Sequence, residues 1–337
     1  MPGTEPAQPP DLHRALEKSL TSHFARPCRI AALHRRPYVY STSFLLEELD
    51  VELEDGTCLH LLFKDLSRSG LLEGARVTKP DFLYDPLREI ESYQSILGSE
   101  TMGTAVCYGA VASAGRYWLF LEKVAGHELY QEGDLAVWAD VARWLAGMHD
   151  RFSDRSEELR HTHVHLLHYD GAYYRRWLDR TQQGTGWGDA AEGAAALRRV
   201  ASALDAALER LGTMPVTFVH GELYASNVLV ADTPAGRRIC PVDWEMAGLG
   251  PGLLDLAALC TGWDNGSRRV IALSYHAALE RRHGWPLGEG DFMTLLDYCS
   301  LYLDVQWLGW SPRWSPPPEH ARDWLGHALQ LIDRLGL

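Results

Sequence analysis

The chain has 337 residues, 46% of them hydrophobic, which is enough for one large core or two moderate cores, so two lobes are expected. Its formal charge of −13 argues against nucleic acid or an anionic membrane as a partner and leaves room for a cationic substrate. No window approaches 18 uncharged apolar residues and the N-terminal stretch lacks a secretory apolar segment, so we expect a cytoplasmic protein. The six cysteines lie far apart without a C-x-x-C pair, which predicts reduced, mostly buried thiols.

The first part of the chain predicts a helix followed by an antiparallel sheet. Residues 1 to about 11 are rich in proline and polar side chains and predict a loose tail, after which DLHRALEKSLTSHF predicts a helix capped by Asp11. Apolar and polar residues alternate on both sides of the Glu-Asp-Gly sequence at 54–56, which predicts a β-hairpin because Asp-Gly favours a tight turn. An apolar stripe then predicts a helix over PLREIESYQSIL. Two strand-like runs follow, TAVCYGAVAS and RYWLFLEKV.

The remainder of the chain has mainly helical periodicity. The predicted helices lie in DLAVWADVARWLAGMHDRF, YYRRWLDRT and DAAEGAAALRRVASALDAALERL. The predicted fold class is therefore α+β, with a small antiparallel-sheet lobe before a larger helical lobe. The predicted division is a tail and helix (1–28), the small lobe (29–122), a connecting segment (123–126) and the large lobe (127–337).

One segment of the large lobe, FVHGELYASNVLV, interrupts two apolar strands with His220, Glu222 and Asn227. Buried strands gain nothing from such groups unless each finds a partner, so the interruption indicates a functional loop. Just downstream, RICPVDWEMAGLGPGLLDLAAL places Asp243 after a short strand and Asp255 at the next helix. Carboxylate and amide oxygens of this kind suit Mg²⁺, which leaves its other positions to water and phosphate.

These two segments, HGELYASN and VDWEMAGLGPGLLDLA, resemble the motifs of the aminoglycoside phosphotransferase and choline kinase family, which has the protein-kinase-like fold. The resemblance implies a two-lobed kinase-like fold that transfers the γ-phosphate of ATP or GTP to a hydroxyl. It also implies that Asn227 and Asp243 bind Mg²⁺, and that the loop carboxylate receives the proton of the acceptor hydroxyl. His220 and Asp255 are expected to brace the loop.

The sequence departs from the family pattern at Glu222, where the family ordinarily has aspartate. Glutamate keeps the charge but adds one methylene, which moves the carboxylate toward or past the position of an attacking hydroxyl. Two outcomes stay open, namely an active kinase with an adjusted substrate pose and a catalytically silent binding protein. Phosphoryl transfer depends chiefly on positioning and charge neutralisation, which favours retained activity.

The same resemblance requires a phosphate-binding lysine on the third strand, and LHLLFKDL offers Lys64. Its expected partner is Glu89 on the following helix, with Glu91 as the other candidate. The long insertion between Lys64 and this helix has no evident purpose, and a mobile flap near the phosphates is one hypothesis. A lone lysine near a strand end is otherwise usually a solvated edge charge.

Two further segments are candidates for contact with the nucleotide. Ser41, Thr42 and Ser43, between the first two strands, offer N–H groups and hydroxyls to phosphate, although such a cluster is most often only a turn. The backbone from Glu122 to Val124 is expected to bind the purine edge, and the sequence does not distinguish adenine from guanine.

The C-terminal third is rich in tryptophan and is where the resemblance places the acceptor pocket. The candidate substrate contacts are Asp264, Asp304, Trp307 and Trp310, although aromatic residues at helical spacing are normally core. Aromatic walls with carboxylates suit an aminoglycoside-like compound, a nucleoside antibiotic or an amino alcohol. A role in antibiotic resistance and a peptide hydroxyl as acceptor are both compatible with the sequence, as is a monomer or a homodimer.

Overall fold

The structure is a computed structural model, and it describes residues 9–40, 43–98, 100, 102–183, 191–283, 287–310 and 321–337. The chain separates into two compact units, Met1–Gly126 with Ala231–Glu245 and His127–Val230 with Met246–Leu337. The polypeptide therefore passes from one unit to the other three times. The domain boundaries given by the sequence stay a prediction.

The first unit contains an antiparallel sheet of five strands in the order β1-β2-β3-β5-β4. The predicted hairpin at 54–56 is confirmed, because β2 and β3 pair on either side of it and Gly56 adopts the left-handed φ of +82°. The helices and strands of this unit are α1 (Pro9–Phe24), β1 (Ile30–Pro37), β2 (Leu45–Leu53), β3 (Cys58–Asp65), α2 (Glu73–Thr78), α3 (Pro86–Glu91), β4 (Cys107–Ser113), β5 (Arg116–Glu122) and, from the returning segment, β10 (Gly236–Pro241).

The core of the first unit lies between α1 and the sheet. Leu12, Leu16 and Leu20 recur every four residues on one face of α1 and are fully buried. At Gly109 of β4 an added Cβ would lie 2.6 Å from Cβ of Ser19, so α1 crosses this strand where no side chain intervenes. The capping role predicted for Asp11 is wrong, because α1 already begins at Pro9 and the Asp11 carboxylate instead pairs with Arg116 at 2.9 Å.

The helix predicted over PLREIESYQSIL is present in two parts. Its first part is α3, where the carboxylate of Asp85 accepts the backbone N–H of Leu87 at 3.0 Å and Pro86 occupies the first turn. Residues 92–97 continue it as a π-helical turn. Such local changes of helical register are common near functional sites.

The second unit is mainly helical, as predicted. Its centre is α10, which is buried on nearly all sides and contacts α6, α7, α8 and α11. A small sheet places β11 between β7, which runs parallel to it, and β8, which runs antiparallel. The elements are β6 (His127–Glu128), α4 (Leu135–Ser153), α5 (Ser156–Thr162), β7 (Leu167–His168), α6 (Gly171–Gln183), α7 (Ala191–Gly212), β8 (Val216–Val219), β9 (Val228–Thr233), β11 (Gly248–Pro251), α8 (Leu253–Leu259), α9 (Asn265–His283), α10 (Glu289–Trp310) and α11 (Trp324–Leu335), of which β9 ends in the first unit.

Two expectations about the whole chain can be compared with this structure. All six cysteines are free and four of them are buried, as the sequence predicted. Across the residues that the structure describes, no helix is both long and apolar enough to cross a membrane.

Candidate active site

In the first unit, a buried lysine lies between two carboxylates. Nζ of Lys64, on β3, is 2.7 Å from Oε2 of Glu89 on α3 and 2.5 Å from Oδ1 of Asp243, just after β10. Lys64 and Glu89 retain only 5% and 1% of their exposed area, whereas the Asp243 side chain keeps 31%. The predicted pairing thus forms with Glu89. Asp243 is the only one of the three that offers appreciable surface to a ligand.

The charges of this cluster depend on one another. Burial alone would lower the pKa of Lys64, but the nearby carboxylates of Asp243, Glu89 and Glu245 outweigh it and hold that pKa above its usual value. Burial raises the pKa of Glu89 above its usual range, although the charge of Lys64 opposes this rise. Lys64 is therefore a permanent cation in an otherwise acidic site, which is the charge needed to bind a phosphate.

Asp243 is held in an unusual backbone conformation. Its φ is +66°, which costs a residue other than glycine about 1–2 kcal/mol. The next side chain, Trp244, is fully buried and donates its indole N–H to the carbonyl of Pro241 at 3.2 Å. The buried ring fixes the turn, and the turn fixes the carboxylate. Strain of this kind concentrates at functional sites.

A second buried ion pair lies two residues further on. Nζ of Lys79 is 2.5 Å from Oε2 of Glu245, and Ser43 donates its hydroxyl to the other oxygen of Glu245 at 3.3 Å. Arg88 donates to the backbone carbonyl of Glu245 at 2.8 Å. Of the three hydroxyl residues predicted to meet phosphate, Ser43 thus contacts Glu245. The other two, Ser41 and Thr42, lie outside the described residues.

This second pair connects the insertion of residues 66–85 to the rest of the unit. The insertion contains α2, and its residue Leu71 forms a β-bridge with Phe44, while the N–H of Leu72 donates to the carbonyl of Ser43 at 3.0 Å. The contacts of Lys79 and Arg88 were not predicted from the sequence. The only available signal for Lys79 was a cation within an unexplained insertion.

The segment predicted to bind the purine follows β5. The backbone N–H of Glu122 donates to the carbonyl of Val106 at 2.8 Å, and that of Lys123 donates to His60 at 3.0 Å. The Glu122 carboxylate accepts two hydrogen bonds from Arg238, each 2.7 Å long. A purine at this segment would therefore have to use carbonyl oxygens or the N–H of Val124.

In the second unit, the loop after β8 is tied to a buried carboxylate. The N–H groups of His220 and Gly221 donate to the two oxygens of Asp255 at 2.7 and 2.8 Å, and His149 Nε2 lies 3.2 Å from the same carboxylate. Asp255 has no exposed area. Gly221 has a φ of +86°, and an added Cβ would lie 2.0 Å from the hydroxyl of Tyr169.

The remainder of this loop fixes the two residues predicted to act in catalysis. Asn227 donates its side-chain amide to the carbonyl of Glu222 at 2.9 Å, and the N–H of Glu222 donates to Nδ1 of His220 at 3.3 Å. Because the amide nitrogen of Asn227 is used within the loop, its Oδ1 is the atom left for a metal ion.

The donor chemistry of Asn227 and Asp243 fits Mg²⁺. Within the described part of the chain, no cluster of three or more histidine, cysteine, aspartate or glutamate side chains could hold a metal, and this covers the histidine run at 161–168. Mg²⁺ does not need such a cluster, because it usually takes one or two protein oxygens and completes its octahedron with water and phosphate. An amide oxygen and a partly exposed carboxylate oxygen are ligands of that kind.

Two cavities of about 230 and 250 Å³ lie in the second unit. The first borders the loop of residues 220–227 through Tyr224, Ala225 and Ser226. Of the four residues predicted to meet substrate, Asp304 lines the second cavity, where its carboxylate is 2.9 Å from Nδ1 of His327. Burial raises the pKa of Asp304 to about 6, while His327 opposes this rise.

The other three predicted substrate residues make contacts of a structural kind. Asp264 accepts the N–H groups of residues 266 and 267 at 2.8 and 3.1 Å and so caps α9. Trp307 stacks on Trp324 with ring centroids 5.0 Å apart, and Trp310 packs on Trp177 at 5.2 Å. Of these rings, Trp324 faces the second cavity, so Trp307 supports that wall from behind.

The antiparallel sheet with its buried lysine and the helical unit with its catalytic loop define a kinase-like phosphotransferase. Residues 105–289 match the profile of the phosphotransferase enzyme family, and the chain belongs to that family. No sequence among curated proteins matches significantly.

Solved structures with the same fold include three kinases or phosphotransferases. The microcompartment-associated aminopropanol kinase has a TM-score of 0.58 and 17% identity over 89% of this chain and 90% of that chain. Choline kinase LicA from Streptococcus pneumoniae gives 0.57 and 14% over 97% and 99%. The GDP complex of wild-type aminoglycoside 2'-phosphotransferase-IIIa gives 0.55 and 12% over 94% and 96%. The predicted fold class and the small-molecule phosphotransferase family are thereby confirmed.

Proposed function

We propose that the protein transfers the γ-phosphate of ATP or GTP to a hydroxyl group of a small molecule. The observation that supports this most directly is Lys64, buried between Glu89 and Asp243 and held cationic by them. Burying the charges of Lys64 and Glu89 is costly, and a structural ion pair has no need of a strained aspartate that stays partly exposed. A phosphate-binding site needs both the buried cation and the partly exposed aspartate.

Each residue has one role in this proposal. Lys64 binds phosphate oxygens, with Glu89 orienting it, and Asp243 and Asn227 hold Mg²⁺. Bound Mg²⁺ would neutralise charge on the phosphate oxygens as it develops. Glu222 orients the acceptor hydroxyl and takes up its proton as the new O–P bond forms. His220 and Asp255 keep the loop backbone in place.

The identity of the acceptor is a further part of the proposal. The names of the similar structures support an alcohol with an amino group, such as an amino alcohol or an aminoglycoside-like compound. A nucleoside antibiotic is the other candidate. Phosphorylation of an aminoglycoside or of a nucleoside antibiotic would give the protein a role in antibiotic resistance. We also propose a cytoplasmic monomer or homodimer without a nucleic-acid or membrane partner, which the charge of −13 supports.

Glu222 favours one alternative, a kinase-shaped binding protein that retains the nucleotide site without turnover. Both the active kinase and the binding protein require a metal-dependent nucleotide site, so that site is tested first. Calorimetry would measure the binding of ATP and GTP, with and without Mg²⁺, to the wild type, to Asp243→Asn and to a control, Asp232→Asn, whose exposed carboxylate lies on β9. We expect Mg²⁺-dependent binding by the wild type and the control, and at least tenfold weaker binding by Asp243→Asn. Absence of nucleotide binding under every condition would refute the kinase function.

A further inference from the structure

The two cavities of the second unit share part of their walls. Thr261, Gly262, Trp263 and Arg322 line both of them. The first cavity also reaches residues 224–226, which lie between the proposed base Glu222 and the proposed metal ligand Asn227. A molecule that fills the first cavity therefore lies beside the loop that would receive the acceptor hydroxyl.

Arg322 is the only charged side chain among the described residues that line the first cavity. Its guanidinium makes no ion pair and no hydrogen bond with any residue in the described part of the chain. Burial lowers its pKa, with Tyr224 and Asp304 opposing, and an arginine remains charged under such a shift. Within the described part of the chain, the cavity wall thus carries one positive charge that has no ion-pair partner.

The neighbouring charges are already paired with one another. In the second cavity, Arg268 and Arg334 lie 2.8 and 3.3 Å from carboxylate oxygens of Asp297. Asp304 is 2.9 Å from His327. Asp297 serves two arginines and Asp304 has His327 beside it, so Arg322 is the cation of these cavities that has no carboxylate within ion-pair distance among the described residues.

The position of the guanidinium is fixed by its surroundings. Gly262 has a φ of +98°, and a Cβ added there would lie 2.0 Å from Nη2 of Arg322. The guanidinium carbon lies 5.7 Å from the centre of the Trp324 ring, which stacks on Trp307. A glycine leaves room for the guanidinium on one side and an aromatic ring supports it on the other. Arg322 is exposed as a whole, but these two contacts give its guanidinium a defined place at the cavity wall.

We propose that the acceptor carries an anionic group, a carboxylate in its simplest form, which Arg322 binds beside the catalytic loop. This inference rests on the proposed phosphate transfer to a hydroxyl, and it replaces the amino-bearing acceptor suggested above with a hydroxy acid. A guanidinium pairs with a carboxylate through two parallel N–H donors. Trp138, Trp263 and Tyr224 in the same cavity would cover the apolar part of such a molecule. The local charge thus points to an acid, whereas the net charge of −13 alone favours a cation.

Matched acceptors test the inference directly. Each set presents one hydroxyl on the same carbon skeleton bearing a carboxylate, a carboxamide or an aminomethyl group, and phosphate transfer is measured as kcat/KM. The variants are Arg322→Gln, Arg322→Lys and, as a control, Arg269→Gln, whose exposed side chain pairs with Glu289 on the surface. We expect the acid to be preferred, and Arg322→Gln to lower kcat/KM for the acid about 10- to 100-fold while leaving the amide unchanged. Arg322→Lys should keep part of the preference for the acid, because the lysine ammonium retains the positive charge but not the two parallel donors.

Two binding measurements show whether Arg322 binds the carboxylate of the acceptor or a phosphate of the nucleotide. They also show whether a negative result comes from the acceptor site or from the nucleotide site. Nucleotide affinity is measured by calorimetry without an acceptor, and acid binding is measured without nucleotide by quenching of the intrinsic tryptophan fluorescence, to which Trp263 and Trp324 of the cavities contribute. Quenching by the acids that Arg322→Gln abolishes supports the inference even in a protein without turnover. Loss of nucleotide affinity in Arg322→Gln would instead assign the oxyanion to the nucleotide. Equal use of acid, amide and amine, or no quenching by any acid, would overturn the inference while leaving the nucleotide site intact.

Discussion

At the scale of single residues, Glu222 carries its carboxylate one methylene further from a backbone that is closely held. Its carbonyl accepts the amide of Asn227 and its N–H donates to His220. We expect Glu222→Gln to lower kcat about 100-fold or more with unchanged nucleotide affinity, because the acceptor proton loses its base. Glu222→Asp should lower kcat less, since the charge remains. Steady-state kinetics with a transferred acceptor would measure both.

The outcome for Glu222→Asp also distinguishes an adapted site from a silent one. An inactive wild type that gains turnover with aspartate would contradict the adapted base and support the binding protein. Nucleotide affinity should stay constant across the series, which separates a catalytic effect from a folding effect.

Asp304 gives a prediction about the dependence of stability on pH. Its pKa is raised by burial to about 6 from 3.8, so the native state binds this proton more tightly than the unfolded state does. Its contribution to stability is complete below pH 3.8 and is lost as the pH rises through 6. The loss amounts to about 3 kcal/mol. We expect Asp304→Asn to be more stable relative to the wild type at pH 7.5 than at pH 4.

Urea unfolding at a series of pH values would measure this difference. The control is Asp333→Asn, which removes an exposed carboxylate paired with Arg199 at the surface. A relative stability of Asp304→Asn that is independent of pH between 4 and 7 would show that the carboxylate titrates normally.

The residues that sequence reasoning found and missed differ in a physical way. Lys64 and Glu89 were predicted because the family resemblance requires a lysine on the third strand and a glutamate on the following helix, and a strand or helix gives each side chain a defined direction. Lys79 and Arg322 lie in segments without periodicity, where the sequence gives no direction. Asp264 was predicted as a substrate contact, although the Asp-Asn-Gly-Ser sequence at 264–267 is also a helix-capping signal.

At the scale of elements, the turn from β8 into the catalytic loop depends on the absence of a side chain at residue 221. Gly221→Ala places a Cβ in a left-handed conformation and against the Tyr169 hydroxyl, which donates to the carbonyl of Met246 at 2.7 Å. We expect a loss of about 3 kcal/mol in unfolding free energy, from backbone strain together with overpacking. Chemical denaturation would measure it.

A double mutant separates the two causes. Tyr169→Phe removes the hydroxyl that the new Cβ would meet, so the added cost of Gly221→Ala should be smaller in that background. An equal cost in both backgrounds would assign the effect to the left-handed backbone together with the carbonyl of Met246, which would lie 2.4 Å from the new Cβ.

The insertion of residues 66–85 depends on the pair of Lys79 with Glu245, whose side chains are 6% and 12% exposed. Lys79→Met leaves a buried carboxylate without its main partner, and we expect a loss of about 3 kcal/mol in stability. Arg269→Met breaks an exposed pair and should change stability by less than about 1 kcal/mol. Amide hydrogen exchange should show faster opening of residues 66–85 in Lys79→Met alone.

Amide hydrogen exchange also tests the hypothesis that this insertion is a mobile flap near the phosphates. In the structure it is fastened by the bridge between Phe44 and Leu71 and by the N–H of Leu72. Uniform protection of residues 66–85 with and without nucleotide would count against a flap. Protection gained on nucleotide binding would support it.

At the scale of the whole molecule, the segment Ala231–Glu245 returns to the first unit and supplies Asp243 and Glu245. A fragment of residues 1–126 keeps Glu89 as a partner of Lys64 but lacks Asp243, the second partner of Lys64, and Glu245, the partner of Lys79. We therefore expect it to unfold without a cooperative transition in circular dichroism. Fusing residues 231–245 to its end through a long flexible linker should restore a transition. Cooperative unfolding of the unmodified fragment would show that the returning segment is dispensable.

The sequence predicted the fold class because the hairpin, the helices and the family motifs agree with one another. It did not predict that residues 231–245 would belong to the first unit. Periodicity reports which face of an element is buried, and says nothing about which unit buries it. Net charge has a similar limit, since the total of −13 conceals the isolated cation that lines the cavity of the second unit.

The late position of residues 231–245 has a consequence for the order of events during synthesis. A ribosome makes the first 126 residues, with Lys64, Glu89 and Lys79, long before it makes Asp243 and Glu245. Domains usually fold as they emerge, N-terminal parts first. Here the sheet and α1 have their apolar core early, but the ion pairs with Asp243 and Glu245 cannot form until residue 245 has left the ribosome. During that interval Lys64 has Glu89 as its one carboxylate partner and Lys79 lacks Glu245, so polyanions or chaperones have access to these cations.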